Sequence, residues 1–356
     1  MKNNRIEVLD SFRGVAILLV ILFHFFSRWT NLYPYENKYN YFVNGKYGVH
    51  FFFMISGFVI LFTLERTKSL AQFWFNRFVR LFPGMLFASL LTYLFFNYFD
   101  NDFLFPTSHY FNNLLISLTF IQPDVLSSLT RYTINLDYLS ASYWSLWVEI
   151  QFYVLASFLY FFCKKTFYRN FFILSIGLIA FNFSLSYIFV ENEFITKLIA
   201  MRSIFNILVA LPFFCLGAVF YVFYVNNLNQ KKNSFLDKFL FFFFSFFSLF
   251  KSFPDLKVML LFIVFITLFL LMIYYPKRIS FLNTKVINQI GVSSYFLYLI
   301  HENIGVFLIH KNYINFNFLP FLPTLIYIAI FIFCSFLFTK YIEARMITVL
   351  KKIQKF

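Results

Sequence analysis

Three side chains combine acid–base chemistry with positions inside long apolar runs: Arg13, His24 and Glu149. Burying an arginine in lipid costs at least about 2.5 kcal/mol on insertion scales, so each is a functional candidate. Arg13 and His24 are eleven positions apart, about three helical turns, close to one face and roughly 16 Å apart in depth. Histidine is the side chain best suited to take a proton from a hydroxyl near neutral pH. Glu149, in Tyr143-Trp144-Ser145-Leu146-Trp147-Val148-Glu149, sits about two turns into its run at a depth matching that of His24. A carboxylate there can orient an imidazole and stabilise its cation. Blander readings stay open: Arg13 snorkelling and paired to Asp10, His24 as a neutral hydrogen-bonded imidazole, and Glu149 as an interhelical tie. His301, followed at once by Glu302, reads equally as a second polar wall of the same cavity or a satisfied core histidine, and His50 lies near a helix end.

Arg77 and Arg80, three residues apart just before Pro83, form a fork suited to phosphate groups, although positive residues at a cytoplasmic helix end are ordinary. Ser56-Gly57 lacks the flanking glycine of a hydrolase elbow and reads better as close helix packing. Neither a metal-ligand spacing nor a phosphate-cradling glycine loop is present, and Cys163, Cys215 and Cys334 show no pairing pattern.

The elements that must position these residues are membrane spans. Of 356 residues 61% are hydrophobic, 25% aromatic and 13% charged, outside the range of soluble domains. The 62 phenylalanines stand where leucine would serve and say little about function. Net charge is +15, but the cations cluster between apolar segments, which argues for membrane orientation and against nucleic acid as a partner. Crossing about 30 Å of hydrocarbon takes about 20 helical residues. That predicts an all-α bundle of about ten spans, at 12–29, 47–64, 81–99, 143–163, 171–190, 204–225, 235–250, 256–275, 290–310 and 319–339. The basic N-terminus lacks a small-residue cleavage site and reads as leading into a retained first span. Placing both termini in the cytoplasm puts about twice as many lysines and arginines inside as outside. Residues 65–80 and the tail 341–356 read as interfacial helices, and 100–142 as a long outer loop with a re-entrant or interfacial piece at 114–121. The chain reads as one membrane domain, 1–356, without an appended soluble domain.

Together these segments resemble the acyltransferase-3 family of integral membrane acyltransferases. The resemblance rests on Leu9-Asp10-Ser11-Phe12-Arg13-Gly14-Val15-Ala16 with His24, and on Gly48-Val49-His50-Phe51-Phe52-Phe53-Met54-Ile55-Ser56-Gly57-Phe58. It continues through Arg77 and Arg80 before Pro83, Trp144-Ser145-Leu146, Glu149 and Phe152-Tyr153, and ends with Ser294-Tyr295, Tyr298-Leu299 and His301. It implies a ten-helix bundle in a bacterial inner membrane, with acetyl-CoA or another acyl-CoA as cytoplasmic co-substrate and no metal. The acceptor it implies is a surface glycan or its lipid-linked precursor. It further implies His24, Glu149 and Arg13 as the catalytic group, Arg77 and Arg80 as donor-binding, and His301, Tyr298, Ser145, Trp144, His50 and Asp10 as candidate cavity residues. His50 departs from the aspartate many relatives carry. The rival reading is a transporter or flippase using the intramembrane His, Glu and Arg as a proton relay, which inverted repeats with broken helices would favour. A receptor or assembly protein with polar residues only for packing is a third.

Overall fold

The computed structural model describes residues 6–35, 38–129, 136–185, 198, 202, 204–250, 255–311 and 319–353. All their regular structure is helical, as lipid demands of a backbone that must satisfy its own hydrogen bonds. In chain order the helices are α1 (Glu7–Phe26), α2 (Gly48–Leu64), α3 (Leu70–Phe99), α4 (Phe111–Ser117), α5 (Pro123–Leu129), α6 (Trp144–Phe162), α7 (Phe167–Leu185) and α8 (Ile207–Leu228). There follow α9 (Phe235–Phe250), α10 (Leu256–Tyr274), α11 (Lys285–Ile300), α12 (Glu302–Lys311), α13 (Leu322–Leu337), a π turn (Phe338–Glu343) and α14 (Ala344–Ile353).

Among the described residues eight helices are long and apolar enough to cross a membrane, nine if α11 and α12 form one bent span. The protein is an all-α polytopic membrane protein. The missing member of the expected ten is α9, whose 16 residues reach about 24 Å, short of the hydrocarbon thickness. Two expectations change in detail. The interfacial helix and the third span are one 30-residue helix, α3, which runs straight through Pro83; a proline inside a membrane helix is tolerated where neighbours re-satisfy the freed carbonyl. The segment expected as a straight span at 290–310 breaks at His301, where α11 and α12 meet at 70°. The expected end of the fifth span, 186–190, lies outside the described residues.

The chain divides into two compact units. The first comprises Met1–Val49, Asn76–Trp144 and Leu282–Phe356, and its centre is α1 packed along α11. Glycines bring these two backbones together: a Cβ on Gly291 would collide with the Asp10 carbonyl, and one on Gly14 would stand 2.5 Å from the Ile287 carbonyl oxygen. Small residues at such crossings let membrane helices pack by dispersion and polar contacts. Ser11 adds one such contact, donating from its hydroxyl to Asn288 Oδ1 at 2.5 Å.

The second unit comprises His50–Phe75 and Ser145–Phe281. Gly57 of α2 and Gly217 of α8 lie against each other's helix backbones, which accounts for Ser56-Gly57 as a packing feature. The Glu65 carboxylate receives the hydroxyls of Tyr168, at 2.6 Å, and of Tyr221, tying α2 to α7 and α8.

Candidate active site

The site is built where the last turn of α1 meets the break between α11 and α12. His24 is 9% exposed, His301 is fully buried and Glu302 is 1% exposed. His301 Nδ1 lies 2.7 Å from the Tyr298 carbonyl oxygen, which only accepts, so the proton of neutral His301 sits on Nδ1 and its Nε2 is an acceptor. His24 Nδ1 faces that Nε2 at 3.1 Å and the Val20 carbonyl oxygen at 3.0 Å. With acceptors on both sides, His24 Nδ1 carries a hydrogen, and Nε2 is the ring nitrogen left to exchange a proton. That Nε2 faces Glu302 Oε1 at 3.3 Å, and Arg28 Nε lies 3.7 Å from the same oxygen.

The break makes this arrangement possible. Ending α11 at Ile300 makes Glu302 the first residue of α12, where the helix dipole favours negative charge. Together with Arg28 this offsets part of the cost of burying a carboxylate. Two hydroxyls fix the surrounding backbone: Tyr33 donates to the His24 carbonyl, and Tyr298 donates to the Ser142 carbonyl at 2.8 Å. Asn303 reaches into the 100–143 stretch, donating to Ser108 Oγ at 3.0 Å and to the Leu139 carbonyl at 3.2 Å. That stretch is held in turn by Asp100, which accepts from the Leu104 and Phe105 amides at 2.9 and 3.0 Å and from His109 at 3.1 Å. Burial alone would raise the Asp100 carboxyl. The hydrogen bonds from Phe105, Leu104 and His109 outweigh it and hold the group below the usual aspartate range.

The other expected residues divide between the two units. Arg13 pairs with Asp10 at 3.0 Å, the arrangement foreseen for a snorkelling arginine. Arg80 Nη1 pairs with Glu343 at 2.9 Å and lies 5.9 Å from the Tyr295 ring, while Arg77 is half-buried one turn away. Tyr298 belongs to the site through its carbonyl and hydroxyl, and Trp144 is exposed. Glu149, Ser145 and His50 are in the second unit: Ser56 donates to Glu149, Ser145 is buried, and the His50 ring meets the Phe213 ring edge to face at 4.5 Å. The carboxylate beside His24 is thus Glu302. The sequence showed Glu302 directly after His301, two adjacent ionisable residues inside an apolar run, but gave it no role of its own, and it gave Arg28 none. Among the described residues no group of three His, Cys, Asp or Glu could hold a metal ion.

Two histidines and a carboxyl are thus held together inside the helical bundle of an integral membrane protein. Residues 6–340 match the profile of the acyltransferase-3 domain family, and the chain belongs to that family. Over 150 residues it is 28% identical to a protein of Shigella phage Sf6 described as an O-acetyl transferase, a match covering 41% of this chain and 43% of that relative. No solved structure matches the chain.

Proposed function

We propose that this protein is a membrane O-acetyltransferase that moves an acetyl group from acetyl-CoA to a hydroxyl of a cell-surface glycan or its lipid-linked precursor. One observation carries the reading: His24 holds His301 and the Val20 carbonyl with Nδ1 and faces the buried Glu302 carboxyl with Nε2. The family supports acyl transfer, and the phage relative's description points to oxygen as the acceptor atom and acetyl as the group. In the proposed reaction His24 Nε2 takes the acceptor hydroxyl's proton while the oxygen attacks the thioester carbonyl. Glu302 stabilises the imidazolium so formed. The tetrahedral intermediate collapses with cleavage of the carbon–sulfur bond, and the departing thiolate takes the proton back from His24. Arg77 and Arg80 grip the donor's phosphates, Arg80 held in place by Glu343.

The break at His301 is a feature transporter sites share, and a proton relay through His301, His24 and Glu302 is the second reading. Membranes carrying the protein decide between them. Acetyl-CoA-dependent acetylation of glycan is expected with the wild type and a loss of at least about 100-fold with His24→Ala, the scale of a removed general base. Retained activity in His24→Ala overturns the base assignment, and solute movement without acetylation decides for transport.

A further inference from the structure

Arg28 lies two residues beyond the end of α1, and the proposed chemistry uses it only as a distant counter-charge to Glu302, an effect on kcat shared by every acceptor. Its side chain is 48% exposed, yet its Nε is drawn to 3.7 Å from the buried Glu302 carboxylate. Among the described residues its guanidinium donates no hydrogen bond; its other neighbour is the Trp29 ring, 5.5 Å from Cζ. An arginine that served only to neutralise Glu302 would satisfy that carboxylate directly, with fork geometry at about 2.7–2.9 Å. Arg28 instead stands 3.7 Å from Glu302 Oε1, the oxygen that faces His24 Nε2 at 3.3 Å, and among the described residues its guanidinium makes no hydrogen bond.

We infer that Arg28 is an acceptor-binding residue that recognises an anionic oxygen group attached to the acceptor sugar near the hydroxyl that is acylated. The inference rests on the acyl-transfer reading of His24. Two sources carry the required chemistry: the carboxylate of an acidic sugar, and the diphosphate that joins a lipid-linked sugar to its polyprenol. Both present oxygen pairs that a guanidinium binds through two parallel hydrogen bonds.

The test uses the full-length protein in membranes, with acetyl-CoA and three acceptors: a neutral oligosaccharide, the same oligosaccharide bearing a uronic acid, and the neutral sugar on a polyprenyl diphosphate. Wild type, Arg28→Gln and Arg28→Lys are compared for KM and kcat on each. Arg28→Gln is expected to raise KM by about tenfold or more on one or both anionic acceptors while moving KM on the neutral one less than about twofold; Arg28→Lys, which keeps charge but loses the fork, falls between. Selective loss on the uronic acid identifies the carboxylate, and selective loss on the polyprenyl diphosphate identifies the phosphate. Equal loss on all three acceptors, or no loss on any, overturns the inference while leaving acyl transfer standing. If the wild type acetylates none of the three, the functional reading falls, and this inference with it.

Discussion

His24 meets His301 through one ring nitrogen and Glu302 through the other, so the two neighbours act on different steps. His301 sets which nitrogen is free before reaction; Glu302 acts once the proton has arrived. Replacing Glu302 by Gln is therefore expected to lower kcat by about 100-fold, the usual scale for one acid–base partner, with the donor KM little changed. Glu149→Gln, which removes an acceptor for Ser56, is expected to cost far less; steady-state kinetics of the two variants at equal expression separates the two carboxylates. At this scale the sequence was half legible. His24 and Arg13 stood out because lipid makes an ionisable residue conspicuous wherever it falls. Glu302 did not, because its partnership depends on a change of helix direction that no proline or glycine at the break announces.

Among the elements, the α1–α11 crossing is the most sensitive. Gly291→Val would force its side chain into the Asp10 carbonyl and prise α1 from the helix leading to His301. Overpacking of this kind costs about 1–3 kcal/mol, so a lower melting temperature in detergent is expected together with lost transfer. The Asp100 loop makes a separate prediction. Its folded pKa is held below the unfolded value of about 3.9, so the stability it contributes is complete above that value and is lost as pH falls through the folded pKa. Hydrogen exchange at the Leu104 and Phe105 amides should accelerate on acidification below about pH 4, and Asp100→Asn should show weak protection with little pH dependence. Most helices were readable in advance because length and hydropathy are written along the chain. The fusion of residues 70–99 into one helix was not, since aromatic and charged interruptions resemble a boundary until neighbours are known to bury Phe73.

For the whole molecule, the notable fact is how the first unit is assembled. His24, Arg80, Glu302 and Glu343 come from its three separate stretches, so the proposed acid–base centre and the Arg80 pair both belong to one unit. Removing everything after residue 281 is expected to abolish transfer, because it takes away His301 and Glu302; coexpressing the missing piece as a separate chain and assaying for restored acetylation tests whether the unit reassembles. Composition and charge pattern revealed a membrane bundle, but two units each collecting distant segments cannot be seen in a linear pattern.

The π turn at Phe338–Glu343 acts, in this setting, as a phase buffer. A π turn takes up one residue more than an α-helical turn, so the helix beyond it keeps its bearing. Glu343 sits at its end, with its carboxylate on Arg80. Inserting one alanine ahead of the turn, between Ser335 and Phe336, adds a residue the turn does not take up and would swing residue 343 off that bearing by about 100°, leaving the composition of the site unchanged. The expected result is a raised KM for acetyl-CoA with little change toward the acceptor. The bearing of this helix would then set donor affinity by angle alone, so that a single-codon insertion does what substitution of Arg80 would do.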